Sequence, residues 1–158
     1  MILENRVLQI YDKINFEERY FELLQNHSHK DYLEKPKKEN VLETLKKLGY
    51  SAKFFSKEGF YQVEKITIGN YDFYFNCGLK YGVCELIFGA KNIETNAKIG
   101  GVVTRIFKLI KRAKGEDIIS PIKDLSFSSY EELESILKEA LVLYEDLKAE
   151  VLKQVESN

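Results

Sequence analysis

The pattern of apolar and polar positions divides the chain into helical segments on both sides of a block of strands. Residues 1–49 carry apolar side chains three and four positions apart, which is the spacing of one helix face. Residues 50–90 alternate apolar and polar positions, and glycines interrupt the alternation where turns are expected. The pattern predicts an α+β fold, with an antiparallel β-meander of four to five strands packed against N-terminal helices and a long C-terminal helix.

The helical boundaries follow from local signals. Residues 2–33 are predicted to form two helices, with Asn15 as the N-cap of the second. A third helix is expected to begin after Pro36 and to end at Gly49, which suits a left-handed C-terminal stop.

The strand block has an internally consistent register in which one face is strongly apolar. The predicted pairs on this core face are Cys77 with Cys84, Phe75 with Leu86, Phe73 with Phe88, Ile68 with Tyr71 and Ile66 with Phe73. Gln62 and Glu64 fall on the same parity, so the pattern requires either a bulge or a strand end that runs past the core.

The opposite face of the meander mixes polar, aromatic and aliphatic side chains. It is predicted to carry Tyr61, Val63, Lys65, Thr67, Tyr74, Asn76, Glu85 and Ile87. A face of this composition is either half covered by a helix or open for recognition, and tyrosine suits recognition because it combines a large contact area with a polar tip.

Two helices are predicted after the strand block. Residues 99–114 form a short amphipathic helix with a basic polar side, and residues 118–125 form an extended linker or one short edge strand. A capping box, formed by a serine at 128 or 129 and a glutamate three residues later, begins a helix over residues 128–155. Its apolar positions alternate four and three apart, which is a heptad-like seam, but Ile136 and Leu141 widen the apolar stripe beyond a strict seam, and this favours packing across the sheet over dimerisation. The seam positions are Leu133, Leu137, Ala140, Tyr144, Leu147 and Val151.

Composition limits the class of protein. A chain of 158 residues with 44% hydrophobic and 31% charged residues is typical of one globular domain, residues 1–158. A net charge of −1 lacks the positive excess of nucleic-acid-binding proteins, and no apolar run approaches the ~20 residues of a membrane span. The first residues do not have the pattern of a signal peptide, so a cytoplasmic location without membrane or nucleic-acid partners is expected.

Charge is unevenly distributed along the chain. Residues 98–114 carry six basic groups and no acidic group, whereas residues 128–158 carry eight acidic groups against three basic groups. The two segments either neutralise each other within the molecule or leave one of them exposed to a partner of opposite charge.

Few residues indicate chemistry. His27 and His29 have a spacing that an extended segment could use to bind a metal ion, but a polar helix end explains them as well, and no metal site is predicted. Cys77 and Cys84 are expected to be buried small hydrophobes rather than a redox pair. No phosphate-binding loop or catalytic set is recognisable, so neither an enzymatic activity nor a cofactor is predicted.

In size, in helix-and-meander organisation and in its Lys/Asn/Ile/Tyr-rich composition, the chain resembles the small immunity proteins of bacterial contact-dependent and polymorphic toxin systems. The resemblance implies a cytosolic inhibitor, monomeric or homodimeric, that covers the active site or substrate groove of a cognate toxin domain. One alternative is a secretion-chaperone-like dimer that uses the 128–155 seam. Another is a small ligand-binding protein or enzyme with an aromatic pocket between sheet and helices.

The predicted partner-binding surface combines the mixed sheet face with the basic side of the 99–114 helix. Its members are Tyr61, Lys65, Tyr74, Glu85, Arg105, Lys108 and Arg112.

Overall fold

A computed structural model describes residues 4–28, 31–116 and 122–156, and in these ranges five α-helices accompany a six-stranded antiparallel sheet. The helices are α1 (Asn5–Lys13), α2 (Phe16–Asn26), α3 (Lys38–Lys47), α4 (Val103–Ala113) and α5 (Tyr130–Glu156). The strands are β1 (Ala52–Phe55), β2 (Phe60–Val63), β3 (Ile66–Ile68), β4 (Tyr71–Gly78), β5 (Glu85–Asn92) and β6 (Lys98–Val102). The spatial order is β1-β2-β4-β5-β6, with β3 also paired to β4. The predicted α+β class is confirmed.

The strand count exceeds the predicted four to five because the strand predicted over residues 60–68 is divided into β2 and β3, and because residues 98–102 form β6. The basic helix was predicted from residue 99, but α4 begins only at Val103. The two helix-boundary residues predicted in the N-terminal region differ in outcome. Gly49 has φ +98° and ends the helix region as expected, whereas Asn15 lies at the N-cap of α2 without a side-chain capping bond to the backbone.

A bulge separates β2 from β3, and this resolves the conflict of parity in the sequence pattern. Gln62 pairs with Asn76, and Ile66 pairs with Phe73. Three residues of one strand (63–65) therefore oppose two of the other (74 and 75), so one residue is extra.

The extra residue reverses the faces of β2. Because side chains alternate with a period of two, an odd insertion moves every residue before it to the other side of the sheet. Tyr61 and Val63 are therefore buried, at 5% and 4% exposure. The prediction that these two residues lie on the face opposite the core was wrong.

The β4–β5 hairpin keeps its predicted core face but not its predicted register. Cys77 pairs with Leu86 and Phe75 with Phe88, a shift of two residues from the expected partners. A short 3₁₀ turn, Lys80–Gly82, lengthens the connection, and the residue after it pairs with a distant segment instead of with β4. An even shift preserves which side chains face the core.

The predicted β3–β4 pairs are confirmed, but the side chains of β3 are not in the core. Ile66 and Ile68 lie opposite Phe73 and Tyr71, and both isoleucines are 40% exposed. The reason is that β3 is an edge strand of three residues that packs mainly on β4.

Helix α5 packs across the covered side of the sheet. The ring centroid of Tyr144 lies 5.5 Å from that of Phe75 and 6.1 Å from that of Phe88. The whole predicted seam is buried at 0–1% exposure, so packing across the sheet is confirmed, and a dimer through these side chains would require the core to open. The predicted capping box is present, since Ser129 Oγ accepts a hydrogen bond from the backbone N–H of Glu132 at 3.1 Å.

The segment before α5 is hydrogen-bonded both to the residue that precedes β5 and to the end of α2. The Leu125 carbonyl accepts a hydrogen bond from the Cys84 N–H at 2.7 Å, and the Ser126 N–H donates to the His27 carbonyl at 2.7 Å. Of the predicted linker or edge strand, residues 117–121 lie outside the described residues, and the part that follows is not a strand of the sheet. Within the described ranges, no helix is both long enough and apolar enough to cross a membrane.

Candidate functional site

The sheet has a covered face, which packs on the helices, and an open face. Along β4, residues alternate between buried and partly exposed over the whole strand. The cross-strand register places the partly exposed positions of neighbouring strands on the same side. The open face is defined by Lys53, Phe55, Phe60, Gln62, Thr67, Asp72, Tyr74, Asn76, Glu85, Ile87 and Lys91, each of which retains solvent exposure. Of the two predicted alternatives, a helix-covered face and an exposed one, these residues form the exposed one.

The open face is organised in rows that run across the strands. One row contains Phe55, Phe60, Gly78 and Glu85, which pair in that order from β1 to β5. The rings of Phe55 and Phe60 lie 5.4 Å apart between centroids. An aromatic pair is thus followed in the row by a position without a side chain and then by a carboxylate.

The next row carries mixed polar and aliphatic groups. It contains Lys53, Gln62, Asn76, Ile87 and Val102, in the order of their pairing. The Asn76 side-chain oxygen is buried without a hydrogen-bond partner among the described residues, although the residue as a whole is partly exposed.

Tyr74 occupies a third row, where two glycines let β5 and β6 approach closely. It pairs with Gly89, which pairs with Gly100. The Tyr74 hydroxyl lies 3.0 Å from the position that a Cβ on Gly89 would take, so the tyrosine lies across β5. Burial raises the pKa of Tyr74, which keeps its hydroxyl protonated and able to donate a hydrogen bond at neutral pH.

The structure does not bring the seven predicted binding residues together. Tyr61 is buried in the core, and Lys65 is exposed at the bulge. Tyr74 and Glu85 lie on the open face as predicted. The three basic residues of α4 are exposed on a helix that packs against the covered side through Phe107 and its neighbours, so they form a separate surface.

This separate surface, the basic stripe, consists of Arg105, Lys108 and Arg112. All three are exposed, and none forms an ion pair within the described parts of the chain. Their spacing of three and four residues places them on one side of the helix. The stripe is therefore a local concentration of positive charge that no carboxylate of the described residues pairs with.

Lys111 of α4 and Lys114, the residue after its end, form ion pairs with the N-terminal helices. Lys111 Nζ lies 2.9 Å from Glu17 Oε2, and Lys114 Nζ lies 3.0 Å from both Glu17 Oε1 and Asp12 Oδ1. Burial acts to raise the pKa of Glu17, but hydrogen bonds and charge from the two lysines outweigh it, so the pKa is lowered.

The acidic C-terminal segment also finds its counter-charges in the N-terminal region. Arg19 pairs with Asp146 at 2.8 Å, and Lys47 pairs with Glu134 at 3.0 Å. Among the described residues, no ion pair joins the basic segment to the acidic one, although mutual neutralisation was one of the two predicted alternatives; the N-terminal helices pair with both.

The histidine and cysteine candidates have structural environments. His27 Nδ1 lies 2.8 Å from Glu132 Oε2, with both side chains mostly buried, and this contact joins the end of α2 to the start of α5. His29 lies outside the described residues. Within the described ranges, no cluster of three or more potential metal ligands is found. Both cysteines are buried, and burial raises the pKa of Cys77 to about 12 and that of Cys84 well above its ordinary value.

Among the described residues, two aromatic side chains between sheet and helices, where a pocket was one predicted alternative, are packed against each other. Phe75 and Phe88 are stacked with centroids 5.7 Å apart and are at most 1% exposed. The concave features of the open side are shallow. One of about 220 Å³ surrounds Gly78, and one of about 430 Å³ follows residues 51–55 and 62–65.

Sequence reasoning missed Phe55, Phe60 and Gly78 as members of the open face. Phe60 would have been found if the bulge had been placed between residues 63 and 66, because the parity conflict at Gln62 already indicated it. Comparison of the chain with family models, with curated proteins and with solved structures found no match.

Proposed function

We propose that this protein is a protein-binding inhibitor whose open sheet face holds the partner. The observation that supports this is the combination of exposed aromatic groups and mixed charges on the sheet face opposite the helix-covered one. The resemblance to small bacterial immunity proteins suggests the kind of partner, a cognate toxin domain in the cytoplasm. The inhibitor would act by covering the active site or the substrate groove of that domain.

The physical properties of the open face suit a protein partner. Specific interfaces bury about 800 Å² on each partner, with aromatic anchors near the centre and polar groups around them. The rows of Phe55, Phe60 and Tyr74 supply rigid apolar area at the cost of few rotatable bonds. Lys53 and Glu85, at the two ends of the rows, offer charges of both signs that select a complementary partner.

The basic stripe has a different role in this proposal. Because it lies on the helix side and pairs with no carboxylate among the described residues, it adds long-range attraction to an acidic partner rather than direct packing at the interface. Its effect is expected on the association rate and on the salt dependence of that rate.

The experiment is a pull-down from the native host with the tagged chain, followed by mass spectrometry. We expect one stoichiometric partner, the most informative being the C-terminal part of a large secreted protein. The test variant is Phe55→Glu with Ile87→Glu, which places two charges on the open face. The control is Phe21→Glu with Val142→Glu, because these residues are 48% and 42% exposed on α2 and α5.

The partner should be lost from the open-face variant and retained by the control. A partner that both variants retain equally would reject the open face as the binding surface. If a partner is recovered, its activity is then measured with and without the purified chain, and an activity that the chain does not inhibit would reject the inhibitor role.

A further inference from the structure

The open rows contain the glycines Gly78, Gly89 and Gly100. At Gly78, neither the backbone conformation nor close packing requires a glycine. Its φ is not in the left-handed region, and a Cβ placed on it would meet only the Gly59 carbonyl oxygen at 3.9 Å and the Glu85 Cβ at 4.0 Å. Those are ordinary contact distances. Gly89 and Gly100 differ, since a Cβ on either would lie 2.3–2.4 Å from a backbone oxygen of the neighbouring strand.

Glycine within a strand reduces its stability, because it adds no side chain to the packing and loses more conformational entropy on folding. A glycine in a strand marks a bulge, a bend or a place that a ligand or another backbone approaches closely. Gly78 ends β4 and pairs with Phe60 and with Glu85 in an unbroken register, which favours close approach. On the open face, Gly78 lies between Phe60 and Glu85, so the missing side chain leaves a gap in the row.

This gap is the floor of the depression of about 220 Å³. Its walls are apolar and are formed by Phe60, Val83 and Ile87. The carboxylates of Glu58 and Glu85 line the same depression, together with one ammonium group, that of Lys80. Two carboxylates and one ammonium group leave a net negative charge beside the apolar side chains of the depression. Glu85 is exposed and has no ion-pair partner in the described ranges.

We propose that this depression is a socket for a basic side chain of the partner protein, and that arginine fits it best. An arginine would lay its aliphatic stem against Ile87 and Val83 and its planar guanidinium over the ring of Phe60. The guanidinium would donate two parallel hydrogen bonds to the Glu85 carboxylate, which lysine cannot do in the same geometry. The inference rests on the proposed function, because it specifies what the open face recognises.

The socket is tested directly with small probes. N-acetyl-arginine methylamide, and the corresponding leucine and glutamate compounds, are titrated into the full-length ¹⁵N-labelled protein. We expect saturable chemical-shift changes at Gly78, Glu85 and Ile87 with the arginine probe only. Gly78→Val should fill the depression and weaken binding of the arginine probe at least tenfold, while the thermal unfolding temperature stays equal or rises.

Glu85→Gln should weaken binding of the arginine probe about tenfold as well, since it removes the charge but not the shape. Glu94→Gln is the matched control, because Glu94 is exposed in the β5–β6 connection and lies outside the depression, and it should change nothing. Equal binding of the leucine probe, the absence of saturable shifts with the arginine probe, or unchanged binding in Glu85→Gln would each overturn the proposal.

The pull-down separates failure of the socket from failure of the proposed function. If Gly78→Val and Glu85→Gln retain the partner while the Phe55→Glu, Ile87→Glu variant loses it, the open face stands and the socket is rejected. If all three retain the partner, both proposals are rejected. Loss of the partner from all three, with the helix-side control retaining it, supports the socket as part of the interface.

Discussion

Side chains from alternate residues of β4 enter two different environments. Phe73, Phe75 and Cys77 are at most 1% exposed under the helices, while Tyr74 and Asn76 between them keep contact with solvent. The covered face contains no charged group along this strand, and the open face combines aromatic, amide and acidic groups. One eight-residue strand thus separates two environments: the covered face contributes to the core, and the open face keeps contact with solvent.

Truncation of a side chain is expected to lower the free energy of unfolding far more on the covered face than on the open face. Phe75→Ala should lower the free energy of unfolding by about 3–5 kcal/mol, because the ring contacts Phe88 and Tyr144 in a core without space to relax. Phe55→Ala, at a side chain that is 37% exposed, should cost less than about 1 kcal/mol. Urea unfolding measures both, and similar losses would contradict the distinction between the faces.

Two glycines of the open face are expected to differ in how well they tolerate a side chain. Gly89→Ala should destabilise by about 1–3 kcal/mol or more, since the new Cβ would lie 2.3 Å from the Ile99 carbonyl oxygen, a backbone atom that cannot move away without distorting β6. Gly78→Ala should leave stability unchanged or raise it by up to about 1 kcal/mol. Thermal unfolding of the pair checks this, and a loss at Gly78 equal to that at Gly89 would show a structural need for that glycine.

A smaller effect is expected in the helix layer of the covered side. The pKa of Glu17 is lowered in the folded protein, so its contribution to stability is present above the ordinary carboxyl pKa of 4.5 and is lost as pH falls through the lower folded value. Glu17→Gln should therefore cost at most about 1 kcal/mol at pH 7, given the partial exposure of the ion pairs, and the difference from the original protein should shrink at pH 3.

Thermal unfolding at several pH values measures this difference. Asp31→Asn serves as a control, because Asp31 is exposed and forms no ion pair among the described residues. A Glu17→Gln penalty that is the same at pH 3 and pH 7 would exclude the ion pairs with Lys111 and Lys114 as its cause.

The last prediction concerns how accessible the two faces are to a reagent in solution, and its substitution is expected to change stability least. Cys84 is 4% exposed, and burial raises its pKa, so its thiol should not react with an aromatic disulfide reagent in the folded protein. Glu85→Cys places a thiol on the open face at the next residue, and one thiol per chain should then react within minutes at pH 8. Absorbance of the released thiolate is the measurement, and rapid reaction of the unsubstituted protein would show that the covered face is accessible.

Periodicity predicted the parts of the fold that are local in the chain. The alternation in β4 identified its covered and open faces, and the serine and glutamate residues at 128–132 identified the start of α5. Of the candidate site, Tyr74 and Glu85 were found because their parity depends only on β4 and on β5, which are uninterrupted. Tyr61 was misplaced because the bulge after β2 changes parity within a segment that reads as one strand.

Local spacing of apolar and polar side chains was enough to predict the five helical segments, apart from the start of α4, and the apolar side of β4 and β5, because each of these depends on residues close together in the chain. Three features became visible in the tertiary structure alone: the bulge, the two-residue shift of the β4–β5 hairpin, and the pairing of the basic and acidic segments with the N-terminal helices. Each of these depends on contacts between segments distant in the chain, such as Cys84 with Leu125, and a local pattern does not contain the position of a distant partner.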